Sequence, residues 1–280
     1  MKNNEFTIEI KNLSHFFGEK KIYENLNLNI KKGSVFAFLG KNGVGKSTLI
    51  NILMGYIKPK NGECLIFKES SFNLSIQAKE KIALLHEGFT TYDFMNIKQI
   101  EQFFKPFYPK WKSKVFYDLV DLMALNHNQK ISTLSFGQKS QVVLGLIFAQ
   151  DAELLILDDY SMGLDAGYRR LFIDYLKDYV KNSDKTVLIT SHIMSDLVDL
   201  IDDIAIIQKG GDVYQDTMKN FIENFRCYKV DLNEMFEEKD IHRVEIHKDY
   251  KKIYTFEKLE NLKELNVDFE DRFLGFVGKY

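Results

Sequence analysis

One short stretch of this chain combines the residue types and the spacing that hold a polyphosphate. Residues 40–48 read GKNGVGKST, which fits the pattern G-x-x-x-x-G-K-[ST]. An apolar run at 35–39 precedes it and a helix-like run at 49–56 follows it, which is the order that such a loop requires. Glycines let successive N–H groups point inward, and the helix start adds a positive dipole end. The stretch therefore predicts binding of a nucleoside triphosphate; the alternative is a glycine-rich turn with an incidental lysine.

A second chemical feature is a pair of carboxylates at the end of an apolar run. Residues 154–159 read LLILDD. In a nucleotide-binding protein of this kind, one acid at such a strand end holds Mg²⁺ and the next can orient the attacking water. Asp158 is therefore the predicted metal ligand and Asp159 the predicted base. The alternative is that both acids only cap the following turn.

A third motif lies shortly before the carboxylate strand. Residues 134–138 read LSFGQ, in which Ser135 and Gln138 have the spacing of a capping box that opens a helix. Helix capping is one interpretation. The position of the motif just before the two carboxylates favours an additional role at the nucleotide.

The elements that must position these motifs alternate between strands and helices. Short alternating runs at 6–13 and 23–30 predict antiparallel strands. Continuous apolar runs at 35–39, 154–157 and 186–190, each followed by a helical pattern, predict parallel strands that are buried on both faces. The sequence therefore predicts an α/β fold, a P-loop nucleotide-binding core with a mainly parallel sheet and antiparallel N-terminal strands.

Two further parts are predicted outside that core. Three helical patterns occupy the segment 88–150, at 97–104, 115–122 and 139–150, and they predict an inserted helical subdomain. One helix-like and three strand-like stretches follow later, at 218–225, 228–232, 244–247 and 253–256. We therefore expect a nucleotide-binding domain at residues 1–215 and a small mixed C-terminal appendage at 216–280.

Composition excludes several classes of protein. The net charge is −2 and the isoelectric point is about 6.3, so a long-range electrostatic hold on nucleic acid is not expected. The longest apolar run, at 142–149, is far below the ~20 residues that span a bilayer, and the first ten residues have no signal-peptide core. The two cysteines are isolated, so a reduced cytosolic setting without a zinc site is expected.

In this order the motifs resemble the ATP-binding-cassette (ABC) ATPase family. SMGLD at 161–165 and TSH at 190–192 complete the series, and the resemblance covers residues 5–215. It implies an ATPase that uses ATP and Mg²⁺ and dimerises around two ATP molecules. A lone P-loop leaves one side of the γ-phosphate open to water, and a helix N-terminus from a second copy would close that side.

The resemblance also assigns roles within one chain. Lys46 would contact the β- and γ-phosphates, Ser47 the Mg²⁺ and Thr48 the α-phosphate region. The other predicted nucleotide contacts are Asn42, Gly43, Gly45 and Phe17. The ring of Phe17 would stack on adenine, although an aromatic residue in such a strand can equally be core.

The remaining assignments concern the metal, the water and the second copy. Glu87 joins Ser47 and Asp158 in the predicted metal set and falls in the loop that links the metal site to the membrane partner. His192 joins Asp159 and Lys46 in the catalytic set. A solvated histidine at a helix start is the alternative for His192. The second copy would contribute Ser135, Gly137 and Gln138, with Asp165 near the interface.

Three positions depart from the usual pattern of the family. Asp159 stands where glutamate is usual, which draws the carboxylate back by about 1.5 Å. Glu87 replaces a glutamine. LSFGQ at 134–138 corresponds to the signature motif of the family, and Phe136 replaces the second glycine of that motif. Slower hydrolysis is expected from the first change, because misplacement of a catalytic group by ~1 Å can reduce the rate by a factor on the order of 100.

The family resemblance leads to a transport function. FYPKW at 107–111, the segment 126–134 and the match through 157–165 are similar to exporter ATPases with a separate membrane subunit, including those that export phenol-soluble modulins, which are amphipathic peptides. We expect a peripheral subunit on the cytoplasmic face of the membrane, a second identical or related ATPase and a permease partner. The alternatives are a soluble ABC-type ATPase that remodels a ribosome or nucleic-acid complex, and a pseudo-ATPase. The permease-docking cleft is expected between the Glu87 loop and the helical insertion, and core packing is an equal alternative for the aromatic run 103–111. Some of the following aromatic residues are predicted to line the cleft: Phe89, Tyr92, Phe94, Phe103, Phe104, Phe107, Tyr108 and Trp111.

Overall fold

The computed structural model describes residues 5–86, 88, 92–159, 166–181, 183–191, 197–208, 211–234 and 241–278. Within them the strands are β1 Phe6–Phe17, β2 Lys20–Lys31, β3 Val35–Leu39, β4 Asn61–Ile66, β5 Glu69–Ser70, β6 Ile82–Leu85, β7 Leu154–Asp158, β8 Thr186–Ser191, β9 Asp203–Ile207, β10 Val213–Thr217, β11 Arg226–Val230, β12 Arg243–Ile246, β13 Lys251–Thr255 and β14 Lys263–Glu264. The helices are α1 Lys46–Leu53, α2 Ile76–Lys79, α3 Ile97–Phe104, α4 Ser113–Leu122, α5 Phe136–Ala149, α6 Ala166–Val180, α7 Met218–Asn224 and α8 Phe269–Val277. Among the described helices, none has the length and the apolar character that a bilayer crossing requires.

A six-stranded sheet in the order β10-β9-β3-β8-β7-β6 forms the centre of the molecule. Its strands run parallel except β10, which pairs antiparallel with β9. Every residue of β3 and of β7 is buried, as expected for strands covered on both faces. Because carboxyl ends of parallel strands meet at one edge, this register brings the loop after β3 close to Asp158 and to the end of β8.

A second sheet, in the order β2-β1-β4-β5, is antiparallel and covers α1. Tyr23 of β2 is buried, and alternate residues from Leu26 through Leu28 to Ile30 are buried as well. These side chains form one apolar cluster with Leu49 and Leu53 of α1. The start of α1, where the motif at 40–48 ends, is therefore held between two sheets.

The chain between β6 and β7 contains the helices α3, α4 and α5, which share a separate apolar cluster. A buried carboxylate connects them to the aromatic segment that follows α3. Glu101 accepts hydrogen bonds from Trp111 Nε1 at 2.8 Å and from Ser113 Oγ at 2.6 Å. Trp111 is thereby fixed within the helical core.

The C-terminal part contributes a third sheet, in the order β12-β13-β11-β14. Phe221 of α7, Phe225 and Phe276 of α8 join the same apolar cluster as the central sheet. The central sheet extends to Thr217 and the third sheet begins at Arg226. The division into 1–215 and 216–280 stays a prediction, and the packing makes the C-terminal part continuous with the main core.

The predicted α/β class, with antiparallel N-terminal strands and a mainly parallel sheet, is confirmed. The helix expected at 97–104 has those bounds. Several short elements were not predicted, among them β4, β6, β9, β10 and α8. A four-residue run such as that of β6, Ile-Ala-Leu-Leu, does not distinguish a strand from a helical turn by periodicity.

Candidate nucleotide-binding site

The phosphate-binding candidate is the loop between β3 and α1. Gly45 occupies the N-cap position of α1 with φ 125°, and no side chain of the described residues caps this helix. A Cβ at Gly45 would lie 2.6 Å from Ile22 and 2.9 Å from the Tyr23 hydroxyl, so only glycine fits there. The first-turn N–H groups of a helix have no intrahelical partner. Without a side-chain cap, this end of α1 is suited to an anion.

Lys46 is the buried cation of this loop. Lys46 is 8% exposed, and its Nζ donates to the carbonyls of Gly40 at 2.8 Å and Lys41 at 3.0 Å. These bonds compensate for the desolvation of the buried ammonium. They also fix the side chain along the loop before any phosphate arrives.

Tyr23 of β2 holds the phosphate-binding loop through a hydrogen bond, a role that the sequence analysis did not predict. Its hydroxyl donates to the Gly45 carbonyl at 2.6 Å from a fully buried position on β2. Burial raises the pKa of the Tyr23 phenol, so the group stays protonated and remains a donor. Tyr23 is out of phase with the alternating apolar residues Leu26, Leu28 and Ile30 of β2, so the sequence pattern contains no signal for its burial or for the hydroxyl bond.

The two carboxylates lie at the end of β7 beside β8. Asp158 is 2% exposed and accepts a hydrogen bond of 2.5 Å from the Thr190 hydroxyl. The N–H of Asp159 donates to the Thr190 carbonyl at 3.0 Å, and Asp159 has φ 45°. Aspartate tolerates this left-handed conformation better than most residues with a Cβ. Thr190 therefore orients both acids, a role that the sequence did not reveal.

One cleft of about 330 Å³ brings most of the predicted residues together. Its lining includes Phe17, Asn42, Gly43, Gly45, Lys46, Ser47, Thr48, Asp158 and Asp159. A polyphosphate in it would meet the loop, the helix end and the lysine on one side and the two carboxylates on the other. This arrangement fits a nucleotide with its metal ion.

Phe17 is half exposed at the end of β1 and lies at this cleft. Its ring contacts the edge of buried His15 at a centroid distance of 4.8 Å. Burial, and to a lesser extent the charge of Lys60, lowers the pKa of His15. A neutral His15 can support Phe17 without adding charge near a base. Adenine stacking by Phe17 stays a prediction.

Magnesium would be held mainly by the nucleotide itself. Within the described residues, no group of three or more histidine, cysteine or acidic side chains could hold a metal ion. Mg²⁺ at such sites usually uses one or two protein ligands together with substrate phosphates and water. Ser47 and Asp158, which line the same cleft, fit that requirement.

The signature motif lies elsewhere. Ser135 caps α5 through a complete capping box: its Oγ accepts from the Gln138 N–H at 3.3 Å, and Gln138 Oε1 accepts from the Ser135 N–H at 2.9 Å. A Cβ at Gly137 would lie 2.6 Å from the Tyr168 ring. The described lining of the cleft does not include Ser135, Gly137 or Gln138. Their predicted role at a nucleotide would therefore require a second copy.

Four predicted positions lie outside the described residues: Glu87, Asp165, His192 and the docking residue Phe89. Their assignments stay predictions.

Fold and cleft together define a P-loop ATPase, and comparisons with known proteins place it in a family. The profile of the family described as "ABC transporter" matches residues 23–161. "Uncharacterized ABC transporter ATP-binding protein YhcH" of Bacillus subtilis (strain 168) is 32% identical over 206 residues, which cover 72% of this chain and 67% of that protein. The chain belongs to the ABC transporter ATP-binding proteins. It is an ATP-hydrolysing subunit of that type.

Other relatives differ in what their names say they transport. "Bacitracin transport ATP-binding protein BcrA" of Bacillus licheniformis is 28% identical over 252 residues, 86% of this chain and 82% of that protein. "Spermidine/putrescine import ATP-binding protein PotA" of Clostridium acetobutylicum is 27% identical over 234 residues, which cover 79% of this chain and 66% of that protein. Relatives of this chain thus include a protein named for bacitracin transport and a protein named for polyamine import.

Solved structures agree on the fold. An ATP-binding subunit of an ABC transporter superposes with a TM-score of 0.69 at 19% identity, covering 78% of this chain and 92% of the other. A dimeric ATP-binding cassette in a post-hydrolysis state, bound to ADP and Pi, superposes with a TM-score of 0.64 at 23% identity, covering 75% of this chain and 98% of the other.

Proposed function

We propose that this chain powers export through a separate membrane subunit, by binding and hydrolysing ATP between two copies of its nucleotide-binding domain at the cytoplasmic face of the membrane. The observation that carries the ATPase part is the single cleft that the phosphate-binding loop shares with Asp158 and Asp159. The export part rests on the sequence resemblance described above.

In this proposal the phosphate-binding loop binds the nucleotide, and the two acids at the end of β7 hold the metal ion and activate the water. Lys46 contacts the β- and γ-phosphates, and the uncapped start of α1 binds them through backbone N–H groups. Ser47 and Asp158 hold Mg²⁺, which neutralises charge on the phosphates. Asp159 orients the attacking water and accepts its proton, and Thr190 positions both acids.

The second copy completes the site. The N-terminus of α5 brings Ser135, Gly137 and Gln138 to the γ-phosphate of the nucleotide held by the other subunit. ATP then joins the two subunits, and hydrolysis releases them. Phe136 at this helix start is half exposed and would lie at the same interface between the two subunits.

A groove of about 840 Å³ supports a docking site for the membrane subunit. It lies between the central sheet and the helical insertion, and its lining contains Tyr92, Phe104 and Tyr108 of the aromatic set. Phe94, Phe103 and Phe107 are exposed beside it. Trp111 belongs to the helical core instead, because its indole is bonded to Glu101. A cytosolic helix with apolar anchors fits such a groove.

Docking can be tested with matched aromatic variants. Truncation of a groove residue, Tyr108→Ala, should weaken co-purification with the membrane protein by ~2 kcal/mol or more while ATP affinity stays normal. Phe72→Ala serves as the control, because Phe72 is an exposed aromatic ring outside the described lining of the groove. Equal recovery of both variants and the wild type would place the docking site elsewhere.

Export of amphipathic peptides is the finer part of the proposal. It is tested in inverted membrane vesicles that contain this chain and the membrane protein encoded beside it. We expect ATP-dependent accumulation of an amphipathic peptide inside the vesicles, absent with Lys46→Ala. Loss of preloaded peptide on addition of ATP would instead indicate import. ATPase activity that responds to ribosomes or nucleic acid and never to the membrane protein would favour the remodelling alternative.

A further inference from the structure

A second cavity adjoins the nucleotide cleft and receives side chains from the C-terminal part. Its volume is about 600 Å³. The first half of the phosphate-binding loop, the start of β2, the end of β9, β12 and the end of α8 all contribute to its lining. Asn42 and Gly43 line both this cavity and the nucleotide cleft. The loop is therefore a shared wall between the two.

The lining carries an excess of positive charge. Lys20, Lys21, Lys41 and Arg243 belong to it, and its described residues include no carboxylate. Lys21 is paired with Glu24 at 2.8 Å, which offsets one of the four charges. A concave surface with this balance concentrates anions.

Arg243 is the best-positioned of these cations. It belongs to β12, and its Nε atom is buried without a hydrogen-bond partner among the described residues. The backbone of Gly278 packs directly on the guanidinium, since a Cβ there would lie 2.5 Å from Nη1 and 2.7 Å from Cζ. A buried N–H without an acceptor is unfavourable. The two terminal nitrogens of the same guanidinium carry further N–H groups, and an oxygen-rich ligand in the cavity that Arg243 lines would supply acceptors to them.

The rest of the lining is apolar. Ile22, Val44, Ile207 and Val277 provide a hydrophobic wall beside the cations. Small-molecule sites commonly occupy ~300–1,000 Å³ and combine apolar walls with a few polar groups that fix orientation. The cavity therefore suits a ligand with an apolar body and an anionic group, rather than a bare ion.

We propose that this cavity is a second ligand site, which binds a phosphate-bearing small molecule of mononucleotide size. The phosphate contacts Arg243 with Lys20 and Lys41, and the flat apolar body lies against Ile22 and Ile207. Because Asn42 and Gly43 of the loop line both cavities, a ligand here connects the C-terminal part to the phosphate-binding loop. The inference does not depend on the direction or the substrate of transport proposed above.

The test separates the two sites by disabling the first. In full-length protein with Lys46→Ala, calorimetric titration with AMP should still give about one site per chain. Adding Arg243→Gln should weaken that binding about tenfold or more, since a charge-assisted bond is lost. Arg226→Gln is the matched control, because Arg226 lies on neighbouring β11 and pairs with Glu264 at 3.2 Å. It should leave AMP binding unchanged.

Two outcomes would overturn the proposal: Lys46→Ala protein that binds no AMP, or equal AMP affinity with Arg243→Gln and Arg226→Gln. Inorganic phosphate is the second probe, and binding as tight as that of AMP would refute the contribution of the apolar wall. Arg243→Gln alone should keep wild-type ATP affinity, which shows that the variant folds. Wild-type protein that fails to bind ATP would contradict the proposed ATPase site instead, so the two failures are distinguishable.

Discussion

Two helix N-termini in this molecule carry the predicted phosphate contacts, and they are built differently. The helix α1 begins at Gly45, with no side-chain cap among the described residues and with Lys46 tied to the loop carbonyls. The helix α5 begins at Ser135 with both bonds of its capping box in place. The first helix end leaves its donors to a ligand, whereas the second satisfies two donors within its own chain.

This difference separates a site that exists in one chain from one that needs a partner. Without a side-chain cap, the first-turn N–H groups of α1 have no acceptor from a capping side chain, and a bound anion beside the buried lysine can supply one. A capped start is stable by itself, and it adds only a partial positive charge to a phosphate held by another subunit. Substitutions at the two ends should therefore have effects of different kinds and sizes.

The largest effect is expected at α1. Lys46→Ala removes the cation from the β- and γ-phosphates, and ATP turnover should be abolished with severely weakened binding. Filter binding with labelled ATP and a phosphate-release assay measure both quantities. Wild-type affinity and turnover in this variant would contradict the assignment of the loop.

A large effect on the rate alone is expected at the end of β7. Asp159→Asn keeps the nucleotide-binding groups but removes the base, so turnover should fall by a factor on the order of 10² or more. An ATP-bound dimer should therefore accumulate. Size-exclusion chromatography with and without Mg-ATP shows the dimer. A monomeric variant with normal turnover would exclude Asp159 as the base.

The companion variant Asp159→Glu tests the departure from the usual pattern. The longer side chain moves the carboxylate forward by about 1.5 Å, so faster hydrolysis is expected. Residue 159 has a positive φ, and glutamate is less well suited to that backbone than aspartate. A small decrease in stability should therefore accompany the gain in rate.

A smaller effect is expected at the capped helix. Ser135→Ala should lower the free energy of unfolding by ~1 kcal/mol and should weaken the ATP-dependent dimer. Thr217→Ala is the matched control, because Thr217 caps α7 by accepting from the Asn220 N–H at 3.1 Å. Similar destabilisation is expected there with normal dimer formation. If both variants dimerise equally well, Ser135 is a helix cap and nothing more.

The smallest effect is expected beneath the loop. Tyr23→Phe removes the bond to the Gly45 carbonyl and leaves the ring in place, which should cost ~1 kcal/mol of stability. A severalfold increase in the Kd for ATP is expected from a less rigid loop, with little change in kcat. Unchanged ATP affinity would show that Gly45 is positioned by packing alone.

The residues that could be predicted are those whose types are tied to local geometry. The loop at 40–48, the capping box at Ser135 and the acids at 158 and 159 were recognised because short motifs with fixed spacing determine them. The class of fold followed from apolar runs such as Val35–Leu39, which is fully buried. Each of these signals lies within a few neighbouring residues of the chain.

The residues that could not be predicted act across long separations. Tyr23 reaches Gly45 from another sheet, and Thr190 reaches Asp158 from the next strand. Nothing in the local sequence of β2 or β8 encodes those hydroxyl bonds. Arg243 likewise meets the phosphate-binding loop only because the C-terminal part packs against the central core.

The central claim is that one nucleotide is held by the loop of one chain and by the α5 N-terminus of another. Mixing two inactive variants tests it most directly. Lys46→Ala protein and Ser135→Arg protein should each lack ATPase activity, and their mixture should regain it, because a mixed dimer contains one site with an intact loop and an intact signature. Full activity of Ser135→Arg protein by itself, or a mixture as inactive as its components although mixed dimers form, would contradict the account.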